Sequence, residues 1–389
     1  MQALRLPNAK QGQAYAASIF GAMAQPSGIT LLGATFSDQT GLAVCLTSGQ
    51  VSGTPTHNGI FSLEVRYTTG VDSKKAAHRL TLGLLIAPDP KLLWKTLPSD
   101  KAGLFWREDE KTAFLEVPGG TAIGASKRGR SHAHAGGYRE DDFQMTFVNG
   151  WFTCVMCDGA GSSKYSRRAA EVLAESALAC FNSHLNYFDA ALLEPPHRVV
   201  DAIKPLANNI MLKVVEQSLA NLDAEIQRLL PQVLTPKDFA STLLLFACRQ
   251  ISSGWICITY SVGDGAIGVF SNSTGVANLQ EGDTGEYSGQ TRFFDEHCVK
   301  DTAKRTRVEF FESLTGACIM TDGIADVYFD STNAFADPAC WERLLSDLTA
   351  ASCQPITVGA ELRLLHWLDF WSQGNHDDRT IILLNIGKS

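Results

Sequence analysis

The sequence lacks the features that would place the chain in a membrane or on a nucleic acid. It has no uninterrupted apolar run of the ~18 residues that a membrane-spanning helix needs. Residues 1–25 contain no apolar segment of the ~7 to 15 residues typical of a signal peptide. The net charge of -8 offers no positive surface to phosphate backbones or anionic lipids. We therefore expect a soluble, cytoplasmic protein without a nucleic-acid or membrane partner.

The regular cysteine spacing of a disulfide framework is also missing. The ten cysteines are scattered, which predicts reduced and mostly buried thiols. Cys154 and Cys157 form a Cys-x-x-Cys pair, but no second pair and no nearby histidine pair completes a zinc site. Both lie in an apolar run, so we interpret them as core residues of a strand.

The character of the sequence changes near residue 90. With 389 residues the chain is longer than one ordinary domain. Its N-terminal part is rich in Gly, Ser and Thr, and residues 59–67 alternate in the manner of a half-buried strand. This pattern predicts a small all-β sandwich over residues 1–90. We interpret residues 91–119 as a connecting segment and residues 120–389 as a second domain.

Part of the N-terminal region is similar to a known repeat. Its segments are Gly41-Leu42-Ala43-Val44-Cys45, then residues 48–56 with Gly53-Thr54-Pro55, and then Asn58-Gly59. They resemble the immunoglobulin-like repeat family found in many bacterial proteins. The resemblance implies a spacer or binding module, and its fold alone assigns no ligand.

The remainder of the chain alternates apolar strands with long helices. Strands are predicted at residues 143–147, 152–157, 241–248, 255–262 and 266–270. Apolar residues at helical spacing predict one helix over residues 169–175, with Ser162 or Ser163 as its N-cap, and another over residues 202–230. Because the order does not repeat a βαβ unit, it favours an α+β fold.

Aspartates beside glycine, or beside a second aspartate, recur where strands end. They are Asp158-Gly159, Gly263-Asp264-Gly265, Asp322-Gly323 and Asp377-Asp378. Such a carboxylate can reach a shared cleft, and the glycine lets the backbone approach a ligand. Taken singly, each is more readily explained as a turn or N-cap aspartate. Together they predict a carboxylate-walled site for hard divalent cations, two of which can activate a water for attack on a phosphoryl group.

The same residues occur in an order that is found in a known enzyme family. The segments are Glu140-Asp141, Asp158-Gly159-x-Gly161, Ser241-Thr242, Gly263-Asp264-Gly265, Thr321-Asp322-Gly323-Ile324-x-Asp326 and Asp377-Asp378-x-Thr380. They resemble the metal-dependent protein phosphatase (protein phosphatase 2C-like) family over residues 120–386. Residues 124–143, and Gly282-x-x-Gly285-Glu286-Tyr287 with Thr291-x-Phe293, look like its bacterial branch.

This resemblance implies a fold and a set of metal ligands. The fold is a two-sheet antiparallel β-sandwich flanked by helices, with Mn²⁺ or Mg²⁺ ions in a cleft at one end. Asp158 would bridge two ions, the Gly159 carbonyl would complete one coordination shell, and Asp322 and Asp377 would bind the first ion. These three aspartates are the implied catalytic residues. The further implied ligands are Glu140 and Asp141, partly through water, and Asp264 and Asp326 near a third ion.

Two positions depart from the family pattern. Ala160 stands where many members have a histidine that acts as a general acid. Gly136 stands where many have an arginine that binds phosphate. The nearby groups that we predict to bind phosphate instead are Arg130, His132 and Lys164, with Arg139 as a further candidate. Each is otherwise an ordinary solvated surface charge, and Lys164 is distinguished by its place near a helix start, where an anion is favoured.

The sequence therefore predicts a Ser/Thr phosphoprotein phosphatase that hydrolyses phosphomonoesters by attack of a metal-bridged water on phosphorus. Its partners would be a phosphorylated Ser/Thr protein and, by the resemblance, a cognate Ser/Thr kinase. The alternative is a pseudophosphatase that keeps the fold and acts as a phosphoprotein-binding or regulatory module. The absent histidine and arginine favour this alternative, whereas the retained Asp158, Asp322 and Asp377 oppose it.

Overall fold

A computed structural model describes residues 4–23, 28–69, 77–229, 234–280, 291–354 and 356–387. The chain forms two compact units, Met1–Lys95 and Thr96–Ser389. Residues 96–119 of the expected connecting segment thus fall within the second unit. In the described ranges, no helix combines the length and the apolar character needed to cross a membrane.

The N-terminal unit consists of two small sheets around one core. The first sheet has the strand order β1-β7-β6-β3 and the second the order β2-β5-β4. Fully buried Val51 of the second sheet and Leu63 and Leu82 of the first belong to the same apolar cluster. The elements are β1 (Ala9–Lys10), β2 (Tyr15–Ser18), α1 (Ile19–Ala22), β3 (Ile29–Phe36), β4 (Leu42–Cys45), β5 (Gln50–Gly53), β6 (Gly59–Thr69) and β7 (His78–Ala87), followed by a 3₁₀ helix, Pro90–Leu93.

The second unit contains two antiparallel sheets, of order β10-β11-β12-β13-β16 and β15-β14-β17-β18-β9-β8. Its strands are β8 (Glu110–Val117), β9 (Gly120–Lys127), β10 (Asp142–Val148), β11 (Trp151–Cys157), β12 (Leu243–Ile251), β13 (Gly254–Val262), β14 (Ala266–Ser271), β15 (Gly275–Asn278), β16 (Thr306–Phe311), β17 (Gly316–Met320) and β18 (Arg379–Ile386).

Helices connect the strands of this unit, and several of them pack on the outer faces of the two sheets. They are α2 (Arg130–Ala135), α3 (Ser166–Ser183), α4 (Pro196–Arg228), α5 (Cys298–Arg305), α6 (Asp322–Tyr328), α7 (Pro338–Ala350) and α8 (Ala360–Trp367), with 3₁₀ helices at Leu185–Phe188, Ala191–Leu193, Pro236–Phe239 and Thr332–Ala336. Helices α3 and α4 bury their apolar faces against the sheet that contains β11 and β12. Helices α7 and α8 bury theirs against the sheet that contains β17 and β18. The predicted α+β class is confirmed.

The core between the two sheets comes from the inward-facing residues of each strand. Phe152 and Phe246 of the first sheet pack in one cluster with Ile267 and Ile382 of the second. Alternation along each strand therefore explains why one continuous apolar layer joins the sheets.

All described cysteines are free thiols, and Cys154 and Cys157 are buried in β11, as predicted.

The predicted N-cap of α3 is wrong. The helix begins at Ser166 after Tyr165 rather than after Ser162 or Ser163. The Ser163 hydroxyl donates instead to the Lys237 carbonyl at 2.7 Å, which ties the loop after β11 to the segment before β12. A long-range partner has therefore taken the hydroxyl that local sequence reasoning assigned to the helix end.

Replacing Phe246 with alanine tests this inter-sheet core. Phe246 is 0% exposed, so Phe246→Ala should lower the free energy of unfolding of the second unit by about 3 to 5 kcal/mol through lost burial and a residual cavity. Denaturant unfolding followed by tryptophan fluorescence measures the change. Phe114→Ala is the matched control, because Phe114 is 39% exposed; equal losses in the two variants would contradict the described packing.

Candidate metal centre

The predicted acidic residues lie at one edge of the sandwich because the strands are antiparallel. Asp142, the first residue of β10, pairs with Cys157, the last of β11, so Asp141 and Asp158 extend from the same edge. Likewise, the end of β17 pairs with the beginning of β18, Met320 opposite Ile381, which places Asp322 and Asp377 at a common edge. The sheet register therefore gathers carboxylates that are as distant in sequence as Asp141 and Asp377.

Three carboxylates form the centre of the site. Asp158, Asp264 and Asp322 each offer an oxygen atom, and these atoms all lie within 4.8 Å of one another. Burial raises the pKa of Asp158 well above its ordinary value, and the negative charges of Asp322, Asp141 and Asp377 raise it further. Burial and the charge of Asp264 likewise raise the pKa of Asp322. The carboxylates thus destabilise one another's ionised forms.

Asp141 is held in place by two threonine hydroxyls behind this centre. Its Oδ2 accepts hydrogen bonds from Thr321 Oγ1 at 2.9 Å and from Thr380 Oγ1 at 2.7 Å. Burial first, and then the charge of Asp378, raise the pKa of Asp141 to about 7. Burial also raises the pKa of neighbouring Glu140 to about 7. One side of the Asp141 carboxylate is therefore fixed while the other remains available.

Several buried oxygens of this group accept no hydrogen bond. Within the described part of the chain, the atoms without a partner include Glu140 Oε2, Asp141 Oδ1, Asp264 Oδ1 and Asp322 Oδ1. A buried polar atom without a partner is costly, and a carboxylate oxygen is more so. Divalent hard cations prefer such oxygen ligands. The donor set and its unsatisfied oxygens fit Mg²⁺ or Mn²⁺.

The loop after β11 fixes the Asp158 backbone. The Asp158 amide donates to Thr242 Oγ1 at 2.9 Å, and its carbonyl accepts from the Thr242 amide and the Ser241 hydroxyl at 2.8 Å each. A Cβ at Gly159 would lie 2.8 Å from the Glu140 carbonyl oxygen, so only glycine fits at this position. The predicted Ser241-Thr242 segment thus supports the position of Asp158.

The remaining predicted ligands surround the centre. Asp264 lies between two glycines of positive φ, and its Oδ2 accepts from Thr291 Oγ1. Asp326 is exposed one helical turn after Asp322 in α6. Burial and the charges of Asp264 and Asp377 raise the pKa of Asp326. The predicted segment Gly282 to Tyr287 lies outside the described residues.

His132 is the predicted phosphate ligand that the structure joins to the carboxylates. Its Nδ1 lies 2.9 Å from Asp378 Oδ1, and its Nε2 lies 3.9 Å from both Glu140 Oε2 and Asp377 Oδ1. Burial opposes its charged form, but the hydrogen bond and charge of Asp378 outweigh this and raise the pKa of His132 to about 10. The imidazolium thus lies at the edge of the acidic centre.

The other candidate cations have different partners. Arg130 donates to the main-chain carbonyls of residues 369 and 370. Buried Arg139 donates to the carbonyls of residues 108 and 141, and the Lys164 ammonium lies 5.0 Å from the centre of the Tyr165 ring. Arg130, which also forms an ion pair with Asp369, and Arg139 therefore brace the surrounding loops. Among these four cations, only His132 has a contact with carboxylates of the metal centre in the described part of the chain.

Sequence reasoning missed the role of Asp378. Its motif was recognised, but only Asp377 received a function. In the structure Asp378 is 2% exposed, whereas the Asp377 side chain is 53% exposed. The alternation of side chains at the start of β18 was the available signal, since consecutive residues of an extended segment face opposite sides. Thr321 and Thr380 were likewise quoted in motifs without a contact being assigned to them.

Comparison with known families identifies one that matches this chain. Residues 128–369, more than half of the chain, match the sequence model of Protein phosphatase 2C. Similar solved structures include RsbX in complex with magnesium, with 11% identity over 71% of this chain and 100% of that one and a TM-score of 0.37. Serine/threonine phosphatase Stp1 from Staphylococcus aureus has 13% identity over 74% of this chain and 100% of that one, with a TM-score of 0.39. The catalytic domain of the phosphatase PstP with 2 manganese ions has 13% identity over 72% of this chain and 99% of that one, with a TM-score of 0.39. No curated protein matches the chain.

Metal binding should strengthen as the pH rises from 5.5 to 7.5. The pKa values of Glu140 and Asp141 rise to about 7 in the folded metal-free chain, against ~4 when unfolded. Between pH ~4 and about 7, the metal-free folded chain therefore binds more protons than the unfolded chain. Its free energy of unfolding consequently falls as the pH rises through this range. A cation must displace those protons. We expect the increase in Tm caused by Mn²⁺ in differential scanning calorimetry to be larger at pH 7.5 than at pH 5.5; an equal increase at both would contradict this description.

Proposed function

The chain belongs to the protein phosphatase 2C family, and from this premise we propose that it is a metal-dependent phosphatase of phosphoserine and phosphothreonine in proteins. The observation that carries the proposal is the set of buried carboxylate oxygens without hydrogen-bond partners at one edge of the sandwich. Relatives of similar fold are described with magnesium and with manganese. The bacterial branch, the cytoplasmic location and the cognate kinase stay predictions from the sequence.

We assign the metal-holding roles by position in the centre. Asp158 and Asp322 would hold the ions together with Asp377 and the Gly159 carbonyl, and Glu140 and Asp141 would act partly through water. Asp264 and Asp326 would serve a third ion. Divalent ions bound here supply a lowered water pKa and neutralise charge on a transferring phosphoryl group. The protein contributes a preorganised cage: the threonine hydroxyls on Asp141 and the clamp on the Asp158 backbone keep the carboxylates from turning toward other partners.

We propose His132 as the phosphate ligand in place of the arginine that is absent at Gly136. Its Nδ1 is engaged by Asp378, which leaves Nε2 directed toward Glu140 and Asp377. A Cβ at Gly161 would lie 3.7 Å from this Nε2, so the nitrogen is also near the glycine loop that follows Asp158. A donor in that position can bind a phosphoryl oxygen presented to the metal centre.

We further propose that the N-terminal unit is an immunoglobulin-like module. If its seven strands are lettered A to G in chain order, the sheets are A-G-F-C and B-E-D. The B-E-D and G-F-C groupings are those of an immunoglobulin sandwich, and the short first strand pairs in parallel with the last. The observed order supports the resemblance seen in the sequence. The proposed module comprises residues 1–90, within the first unit, and the proposed phosphatase domain comprises residues 120–389, within the second.

Asp158→Asn should abolish phosphatase activity without loss of the fold. Removal of the central carboxylate should reduce kcat/KM for a phosphoserine peptide with Mn²⁺ about a thousandfold or more, since a correctly bound ion contributes several kcal/mol. The metal-free variant should melt at the same or a higher temperature than the wild type, because like-charge repulsion falls. Asp223→Asn, the same change on an exposed face of α4, is the control. Retained turnover at saturating Mn²⁺ would refute the assignment, and metal binding without turnover in the wild type would indicate a pseudophosphatase.

His132→Gln should weaken substrate binding more than turnover. Loss of a charge-assisted hydrogen bond, worth roughly 1.5 to 3 kcal/mol, should raise KM for the phosphopeptide about tenfold or more with a smaller change in kcat. Steady-state kinetics at saturating Mn²⁺ separate the two parameters. His197→Gln, on an exposed part of α4, is the matched control. If Lys164→Gln raises KM and His132→Gln does not, the phosphate ligand has been misassigned.

A further inference from the structure

One buried carboxylate joins three segments of the metal centre. Asp378 Oδ1 accepts from the Gly129 amide at 2.5 Å and lies 2.9 Å from His132 Nδ1. Asp378 Oδ2 accepts from the Glu140 amide at 2.5 Å and more weakly from the Asp141 amide at 3.4 Å. Both oxygens are therefore fully used by protein donors, which distinguishes Asp378 from the surrounding carboxylates with unsatisfied oxygens.

Close backbone contacts fix the position of this carboxylate. A Cβ at Gly129 would lie 2.3 Å from the Asp377 carbonyl carbon, and a Cβ at Gly323 would lie 1.8 Å from the Asp378 carbonyl oxygen. The segment 377–378 thus lies between the glycine that precedes α2 and the glycine in the first turn of α6. Neither side can accept a larger residue, so the Asp378 side chain starts from a tightly fixed backbone.

We propose that Asp378 is a positioning residue that orients His132 toward the phosphoryl group and fixes the backbone that carries Glu140 and Asp141. This inference rests on the proposed phosphatase function. An imidazole with one nitrogen engaged by a carboxylate has its other nitrogen set in a defined direction. Here that direction places Nε2 3.9 Å from oxygens of both Glu140 and Asp377.

Loss of the Asp378 carboxylate would have two separable effects. The His132 ring would be free to rotate and to pair directly with Glu140 or Asp377, which would withdraw both the phosphate donor and a metal ligand. Independently, the Glu140 and Asp141 amides would lose their acceptor, so the metal-ligand segment would loosen. An asparagine has one acceptor oxygen in place of two and cannot satisfy the histidine and the amides together. The first effect acts on KM through His132, and the second acts on metal affinity and kcat.

A double-mutant cycle separates these effects. We would measure phosphoserine-peptide kinetics of the full chain at saturating Mn²⁺ for Asp378→Asn, His132→Gln and the double variant, with Asp201→Asn on an exposed part of α4 as the control. Asp378→Asn should raise KM about tenfold in the wild-type background and less than twofold in the His132→Gln background. Its decrease in kcat should persist in both backgrounds. If Asp378→Asn raises KM by the same factor in both backgrounds, the proposal is overturned.

Two readouts do not depend on turnover. Calorimetric titration of the Mg²⁺-loaded protein with inorganic phosphate should show at least tenfold weaker binding in Asp378→Asn, and unchanged binding would overturn the proposal even if the wild type is inactive. In the metal-free wild type, ¹⁵N-edited spectra of the histidine rings should show a strongly deshielded Nδ1 proton that His132→Gln removes. If Asp378→Asn fails to fold, this signal decides: its absence from the wild type would refute the orientation of His132.

Discussion

Electrostatic repulsion among buried carboxylates is the constraint on which the second unit depends. The sheet register brings Asp141, Asp158 and Asp322 together, and burial adds to their mutual repulsion until their pKa values rise above the ordinary range. Such a cluster opposes folding when it is ionised and unpaired. A bound divalent cation attracts these carboxylates and offsets their mutual repulsion. The residues that destabilise the metal-free fold therefore stabilise the metal-bound one.

Apart from the ion pair between His132 and Asp378, the protein restrains this cluster with neutral donors. Threonine hydroxyls hold Asp141, the Thr242 hydroxyl and main chain hold the Asp158 backbone, and Asp378 collects amides from two segments. These contacts fix the carboxylates without neutralising them. Cations such as Arg139 are directed at carbonyl groups behind the site. The carboxylate oxygens without hydrogen-bond partners are thereby left for metal, which is the arrangement expected of a preorganised centre.

The departure from the family pattern at Gly136 has a local structural explanation. The position of the absent arginine, Gly136, ends α2 in the left-handed conformation with φ of 71°, which suits glycine and not a long side chain. The helix that it ends carries His132 to the carboxylates instead. A cationic side chain thus still lies beside Glu140. It is His132 of α2, held by Asp378, and not an arginine at position 136.

The sequence by itself determined the α+β class, the buried thiols of β11 and the set of acidic residues, because alternation, helical periodicity and Asp-Gly pairs are local patterns. It did not determine which cation joins the carboxylates. Arg130, His132, Lys164 and Arg139 are equivalent as nearby charges in sequence, and only the packing of α2 against the start of β18 separates them. Nor did it reveal Asp378 as the common acceptor of Gly129, His132 and Glu140, since these contacts span more than 230 residues. Hydrogen bonds between distant segments depend on sheet register and loop packing, which tertiary structure alone decides.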